Sequence, residues 1–166
     1  MKKIITLMLA AFSFAPWCSA TEQERTGASD APVAVEVFFI PNGLSFGVHI
    51  NEAILQQIGC TYIIEDLATS STLLKLISDA RDYPQSSVDM KEKFETRNKL
   101  VFHFQNRKDV SVTFSQKYSN QTYIDANWNS EPIHLNGNVI EKIRSLLKEK
   151  RIEQINKNAS KNCSAI

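Results

Sequence analysis

The stretch KLVFHFQNRKDVSVTF, residues 99–114, constrains the fold of this chain more than any other. Leu100, Phe102 and Phe104 alternate with other side chains, as do Val110, Val112 and Phe114, so each run sets its large apolar groups on one face of a strand. Residues 106–109 between them read as a turn, which makes the pair an antiparallel hairpin. A third strand is expected around residues 122–126, after a turn at Ser119-Asn120, completing a meander.

Upstream, residues 33–40 are apolar and β-rich, and Pro41-Asn42-Gly43 is a turn signal. Leu44, Phe46, Val48 and Ile50 then alternate with Ser45, Gly47 and His49, the period of a half-buried strand. These two runs predict an N-terminal hairpin. Asn51 can cap a short helix over residues 52–58 that Gly59 ends, so GCTYII is a strand entered directly from a helix, with Cys60 first. Thr69 or Ser70 can cap a second helix with Leu73, Leu74, Leu76, Ile77 and Ala80 on its apolar face, stopped at Tyr83-Pro84. Residues 85–98 read as a long loop. Asn138 with Glu141 resembles a capping box, and Val139, Ile140, Ile143, Leu146 and Leu147 form the stripe of a last helix that can run on to Ile152 and Ile155. The expected fold is α+β: an antiparallel sheet, built from the N-terminal hairpin and the C-terminal meander, packed by two or three helices.

The start of the chain sets the compartment. Lys2 and Lys3 precede an uncharged run, and Cys18-Ser19-Ala20 has the small-x-small form of a cleavage site. Residues 4–17 are 14 in number, short of the ~20 a membrane-spanning helix needs. The expected division is a signal peptide over 1–20, a flexible polar leader over 21–31 and one domain over 32–166, exported to a bacterial periplasm. An uncleaved N-terminal anchor, with inner-membrane association, is the alternative. A lipoprotein acylated at Cys18 fits poorly, because bulky Trp17 stands before it.

Cleavage after Ala20 leaves Cys60 and Cys163, and two thiols in an oxidising compartment most simply form one disulfide. Two free thiols are the remaining option. A metal site would need further ligands at short spacing, and a catalytic thiol would need a nearby base. The pairing would close a loop of about 100 residues, worth about 4.7 kcal/mol in the chain-entropy account.

Charge excludes one class of partner. Without Lys2 and Lys3 the chain carries 17 basic and 18 acidic side chains, so no basic face for nucleic acid is implied. The cations are concentrated in residues 142–161, which suits a solvated helix face, an anionic lipid surface or an acidic partner. His49, His103 and His134 are scattered singly, and strand alternation puts the first two away from the core. A neutral imidazole titrates near pH 6.5 when unperturbed, so the three are candidates for pH-sensitive partner binding. Tyr118, Tyr123 and Trp128, near Asn120, Asn127 and Asn129, are candidates for a protein-recognition surface, since Tyr and Trp are enriched in interface hot spots. Strand packing is the plainer account of both sets. Asp125 and Glu131 have no second feature in support of glycoside chemistry. No phosphate loop or nucleophile elbow is present, so no catalytic residue, metal or cofactor is expected.

In layout, with its export segment, size, sheet-rich body and few cysteines, and with NGLSFGVHI and GCTYII in its first half, the chain resembles the ToxS-like and PsaF- and MyfF-like periplasmic companions of membrane-anchored, winged-helix transcription activators. That resemblance implies stabilisation of a regulator and control of virulence or fimbrial genes. The expected function is thus a non-enzymatic accessory subunit that binds the periplasmic domain of a membrane-bound regulator. The alternatives are an immunity or inhibitor protein against a toxin or hydrolase, and a small-ligand binding module.

Overall fold

The computed structural model describes residues 30–41, 46–82, 94–155 and Cys163. Several expectations lie outside the described residues: the export segment with Cys18, most of the leader, Asn42-Gly43 with Leu44, the Tyr83-Pro84 stop and most of the loop after it.

The chain runs β1 (Ala34–Phe39), α1 (Glu52–Ile58), β2 (Cys60–Ile64), α2 (Leu67–Ala80), β3 (Arg81–Asp82), β4 (Asn98–His103), β5 (Val110–Phe114), β6 (Tyr123–Trp128), β7 (Glu131–Asn136) and α3 (Val139–Glu149). The strands form one antiparallel sheet in the order β2-β1-β4-β5-β6-β7-β3. Six strands have five or six residues and β3 has two. The fold is therefore α+β, with one disulfide, Cys60–Cys163. Among the described residues no helix is long and apolar enough to cross a membrane.

The meander forms with the register that its alternation dictates: Leu100 opposes Val112, and Phe114 opposes Ala126. It continues into β7, a strand that is not among the expectations from the sequence. Among the described residues β3 pairs only with Leu135 and His134, which leaves Pro132 without a described strand on its outer side, where the missing N–H is tolerated. Asn129 and Ser130 join β6 to β7 with φ of 49° and 71°, the positive values a two-residue type I′ turn requires. Ser111 pins this turn, since Asn129 N–H donates to its carbonyl and Asn129 Oδ1 accepts from its N–H, both at 2.8 Å.

The N-terminal hairpin is corrected. Residues 46–50 belong to no strand, and β1 pairs instead with β2 and β4, Val37 standing between Tyr62 and Leu100. With both edges of β1 occupied, no place remains for a third partner. Ile50 and Phe46 find burial without a ladder, in a small cluster with Phe38, Ile40 and Leu55 under α1. A short alternating run reports which side chains are buried, not what their backbone pairs with.

Asn51 caps α1, its Oδ1 accepting from Ile54 N–H at 3.0 Å, and Gly59 ends it with an extended backbone. A Cβ there would stand 2.5 Å from the Leu55 carbonyl oxygen, so glycine is required by close approach rather than by a left-handed conformation. The cap of α2 is Asp66, not Thr69 or Ser70: its carboxylate accepts from Thr69 N–H at 2.8 Å and from the Thr69 hydroxyl, while Thr69 and Ser70 are buried in the helix. α3 begins after Asn138 without a side-chain cap, because Asn138 Oδ1 accepts instead from Lys117 Nζ at 2.9 Å. Nor does α3 reach Ile152 or Ile155. Beyond it Gln154 forms an antiparallel bridge with Tyr62, and Ile155 N–H donates to the Thr61 carbonyl at 2.9 Å. This segment covers the β2 edge of the sheet.

One face of the sheet holds the main core. Val35, Val37, Phe39, Cys60, Tyr62, Ile64, Leu100, Phe102, Val112, Phe114, Ile124, Ala126, Ile133 and Leu135 meet Leu73 and Ile77 of α2 and Val139, Ile140, Ile143 and Leu147 of α3. Cys163 joins the same cluster, so the disulfide is buried within it. Burying whole side chains of this kind is worth roughly 1.5–3 kcal/mol each, which makes this face the main source of stability.

Candidate functional site

Alternation that sends Leu100, Phe102, Val112, Phe114, Ile124, Ala126, Ile133 and Leu135 to the core sends their neighbours to the opposite face. At the β1–β4 end that face is covered by α1, where Phe38 and Val101 pack with Leu55 and Ile54. Over β5, β6 and β7 no described helix lies on it. The side chains there are Ser111, Thr113, Tyr123, Asp125, Asn127, Pro132, His134 and Asn136, of which Tyr123 and Asn136 are exposed, Thr113 is buried and the rest are half-buried. We take this open face as the candidate functional site.

Cross-strand register arranges it in rows. Asp125 opposes His134, and Asp125 Oδ1 lies 3.5 Å from His134 Nε2. The Tyr123 ring stacks beside His134 at a centroid separation of 6.4 Å and is 45% exposed. Next along, Thr113 opposes both Lys99 and Asn127. The Lys99 ammonium is held by Glu52 of α1 at 2.7 Å, and Arg97 by Glu95 at 2.9 Å with Phe46 against its guanidinium. These two ion pairs mark where the polar face meets α1.

The histidines separate under this geometry. His49 is exposed just after the bend at Gly47-Val48, in no strand. His103 faces away from the core as expected, yet it is not isolated: Nδ1 lies 2.7 Å from Asp109 and Nε2 lies 3.5 Å from Glu36. His134 is on β7, the strand that precedes the last helix. Two of the three therefore have carboxylate partners that sequence reasoning missed. Counting outward from the Asn129-Ser130 turn gives Asp125 opposite His134, so recognition of that turn would have found the pair. The Asp109 contact has no comparable signal, since it depends on how the β4–β5 turn folds back.

The aromatic trio does not form one patch. Tyr123 and Trp128 are five residues apart on one strand and so face opposite sides. Trp128 packs against the main core, with the Arg81 guanidinium 4.9 Å from its ring. Tyr118 is exposed and lines a cleft of about 320 Å³ with Gln116, Lys117, Ser119, Ile140 and Glu141 at the start of α3. Asp125 and Glu131 are likewise not brought together, because Glu131 opposes Trp128.

No three His, Cys, Asp or Glu side chains among the described residues are grouped to hold a metal ion. At the covered corner, Tyr62 O–H donates to the Cys163 carbonyl at 3.2 Å, and burial raises its pKa above the ordinary value against the opposing charge of Arg144. Burial lowers the Arg144 pKa, with Glu141 and Tyr62 acting in the other direction. No family model, curated protein or solved structure matches this chain.

Proposed function

We propose that this protein is an exported, non-enzymatic protein-binding domain, and that its partner is the periplasmic domain of a membrane-bound transcription regulator. The observation that carries the binding reading is the open face over β5–β7. It presents an exposed tyrosine, a histidine–carboxylate pair and amide and hydroxyl groups on a rigid sheet, a composition suited to a wet, specific protein contact. A buried disulfide joining the start of β2 to the chain's tail agrees with life in an oxidising compartment. The choice of a regulator as partner rests on the layout shared with the ToxS-like and PsaF- and MyfF-like proteins.

Affinity capture from periplasm with identification by mass spectrometry tests this. The expected result is one membrane-anchored regulator retained by the parent and lost by Tyr123→Ala and His134→Ala, with circular dichroism unchanged. Recovery of a secreted toxin or hydrolase would replace the accessory role by inhibition or immunity. Full retention of the partner by both variants would remove the open face from the contact.

A further inference from the structure

The end of α3 contains a residue that its backbone disfavours. Arg151 N–H donates to the Lys148 carbonyl at 3.1 Å and Ile152 N–H to the Leu147 carbonyl at 3.0 Å, the two bonds of a Schellman motif. Arg151 occupies its left-handed position with φ 52°, where glycine is the usual residue and any β-carbon is strained. Such strain at a natural position is a reason to ask what the side chain does.

Arg151 and Lys148 line a cleft of about 260 Å³, completed by Tyr62, Leu147, Ile152, Gln154 and Cys163. Its walls are held by the Schellman bonds, the Gln154–Tyr62 bridge and the disulfide, so the site is built before any ligand arrives. Its apolar lining is Leu147, buried, and Ile152, half-buried, and its two cations are exposed. Among the described residues no carboxylate lines the cleft, and neither Lys148 nor Arg151 forms an ion pair. Lys148 suits the negative end of the helix dipole, but that account does not require an arginine in a strained conformation one turn on. The volume falls below the ~300–1,000 Å³ of small-molecule sites and suits one anchoring side chain of something larger.

We propose that this cleft seats an acidic anchor of a protein partner: one apolar side chain against Leu147 and Ile152, with an adjacent carboxylate held by Arg151 and Lys148. The proposal rests on the protein-binding reading and adds the chemistry of one contact to it.

The test is an amide-resolved NMR titration of the disulfide-bonded protein with a short blocked peptide carrying one leucine between two aspartates. Its asparagine counterpart and inorganic phosphate are the controls. The aspartate peptide is expected to shift the amides of Tyr62, Leu147, Ile152 and Gln154, with affinity about tenfold above that of the asparagine peptide, as a charge-assisted contact implies. Arg151→Gly is expected to lose that preference while melting at a higher temperature, so misfolding cannot explain the loss. Equal binding of both peptides, equal shifts from phosphate, unaltered binding by Arg151→Gly, or no shifts at millimolar peptide would each overturn the proposal. If the cleft fails while Tyr123→Ala still abolishes partner capture, the protein-binding reading survives without it.

Discussion

On β7, Ile133 and Leu135 are buried beneath the helices, while Pro132 and His134, each one residue out of phase, are only half-buried on the other side. The same contrast runs across β5 and β6: valine, phenylalanine, isoleucine, alanine and tryptophan on one face, and hydroxyl, amide and carboxylate groups on the other. Both faces share one hydrogen-bonded ladder, so the backbone contributes equally to each. The difference lies in side-chain burial, and it separates two tasks. The covered face carries the stability, which leaves the open face free to hold groups that a core would exclude.

The strongest way to break the comparison is at the disulfide, which belongs to the covered face. Cys60→Ser should cost about 2–5 kcal/mol in urea unfolding, as removal of a native bridge does in small exported domains. An unchanged midpoint would mean that the bridge adds nothing to that core. Adjacent substitutions on β7 test the faces directly. Leu135→Ala should cost about 2–5 kcal/mol, and His134→Ala less than about 1 kcal/mol, the scale of a cross-strand pair. Equal losses would show that the open face is part of the core after all.

A smaller effect, of opposite sign, is expected where the backbone is strained. Arg151→Gly relieves a left-handed arginine at the cost of greater freedom in the unfolded chain, a net gain of roughly 0.5–1 kcal/mol. The thermal midpoint checks it. The smallest concerns acid. The Thr69 hydroxyl and N–H hold the Asp66 carboxyl below its ordinary pKa in the folded state. Its contribution is therefore present above the unfolded value, near 3.8, and fades as the pH falls through the lower folded one. Asp66→Asn keeps the capping oxygen and removes the titration, so the acid limb of the stability profile should be shallower. An identical limb in both proteins would assign acid sensitivity elsewhere.

Much of this was legible in the sequence because it is local. Period-two alternation in residues 99–114 determined the β4–β5 hairpin and the burial of Phe102 and Phe114, though Phe104, past the end of β4, is only partly buried. Asn51 with Gly59 determined both ends of α1. The Cys60–Cys163 bond followed from the two thiols left once Cys18 is assigned to an export segment, a count that needs no geometry. The helix cap at Asp66 was within reach too, and was missed because Thr69 and Ser70 are equally good capping residues by type.

What tertiary structure alone decided is where separate segments meet. The run at 46–50 has the alternation of a strand, but β2 and β4 already occupy both edges of β1, so its apolar groups went under α1. His103 gained Asp109 and Glu36 because a turn and a neighbouring strand delivered carboxylates that its own strand does not carry. Tyr123 and Trp128, close in sequence, were divided between the two faces by the parity of their spacing once β6 took its place in the sheet. Local pattern determines which side chains seek burial, because that depends on a residue and its near neighbours. Which edge, which face and which distant partner they obtain depends on competition among segments for the same surface, and only the folded chain resolves it.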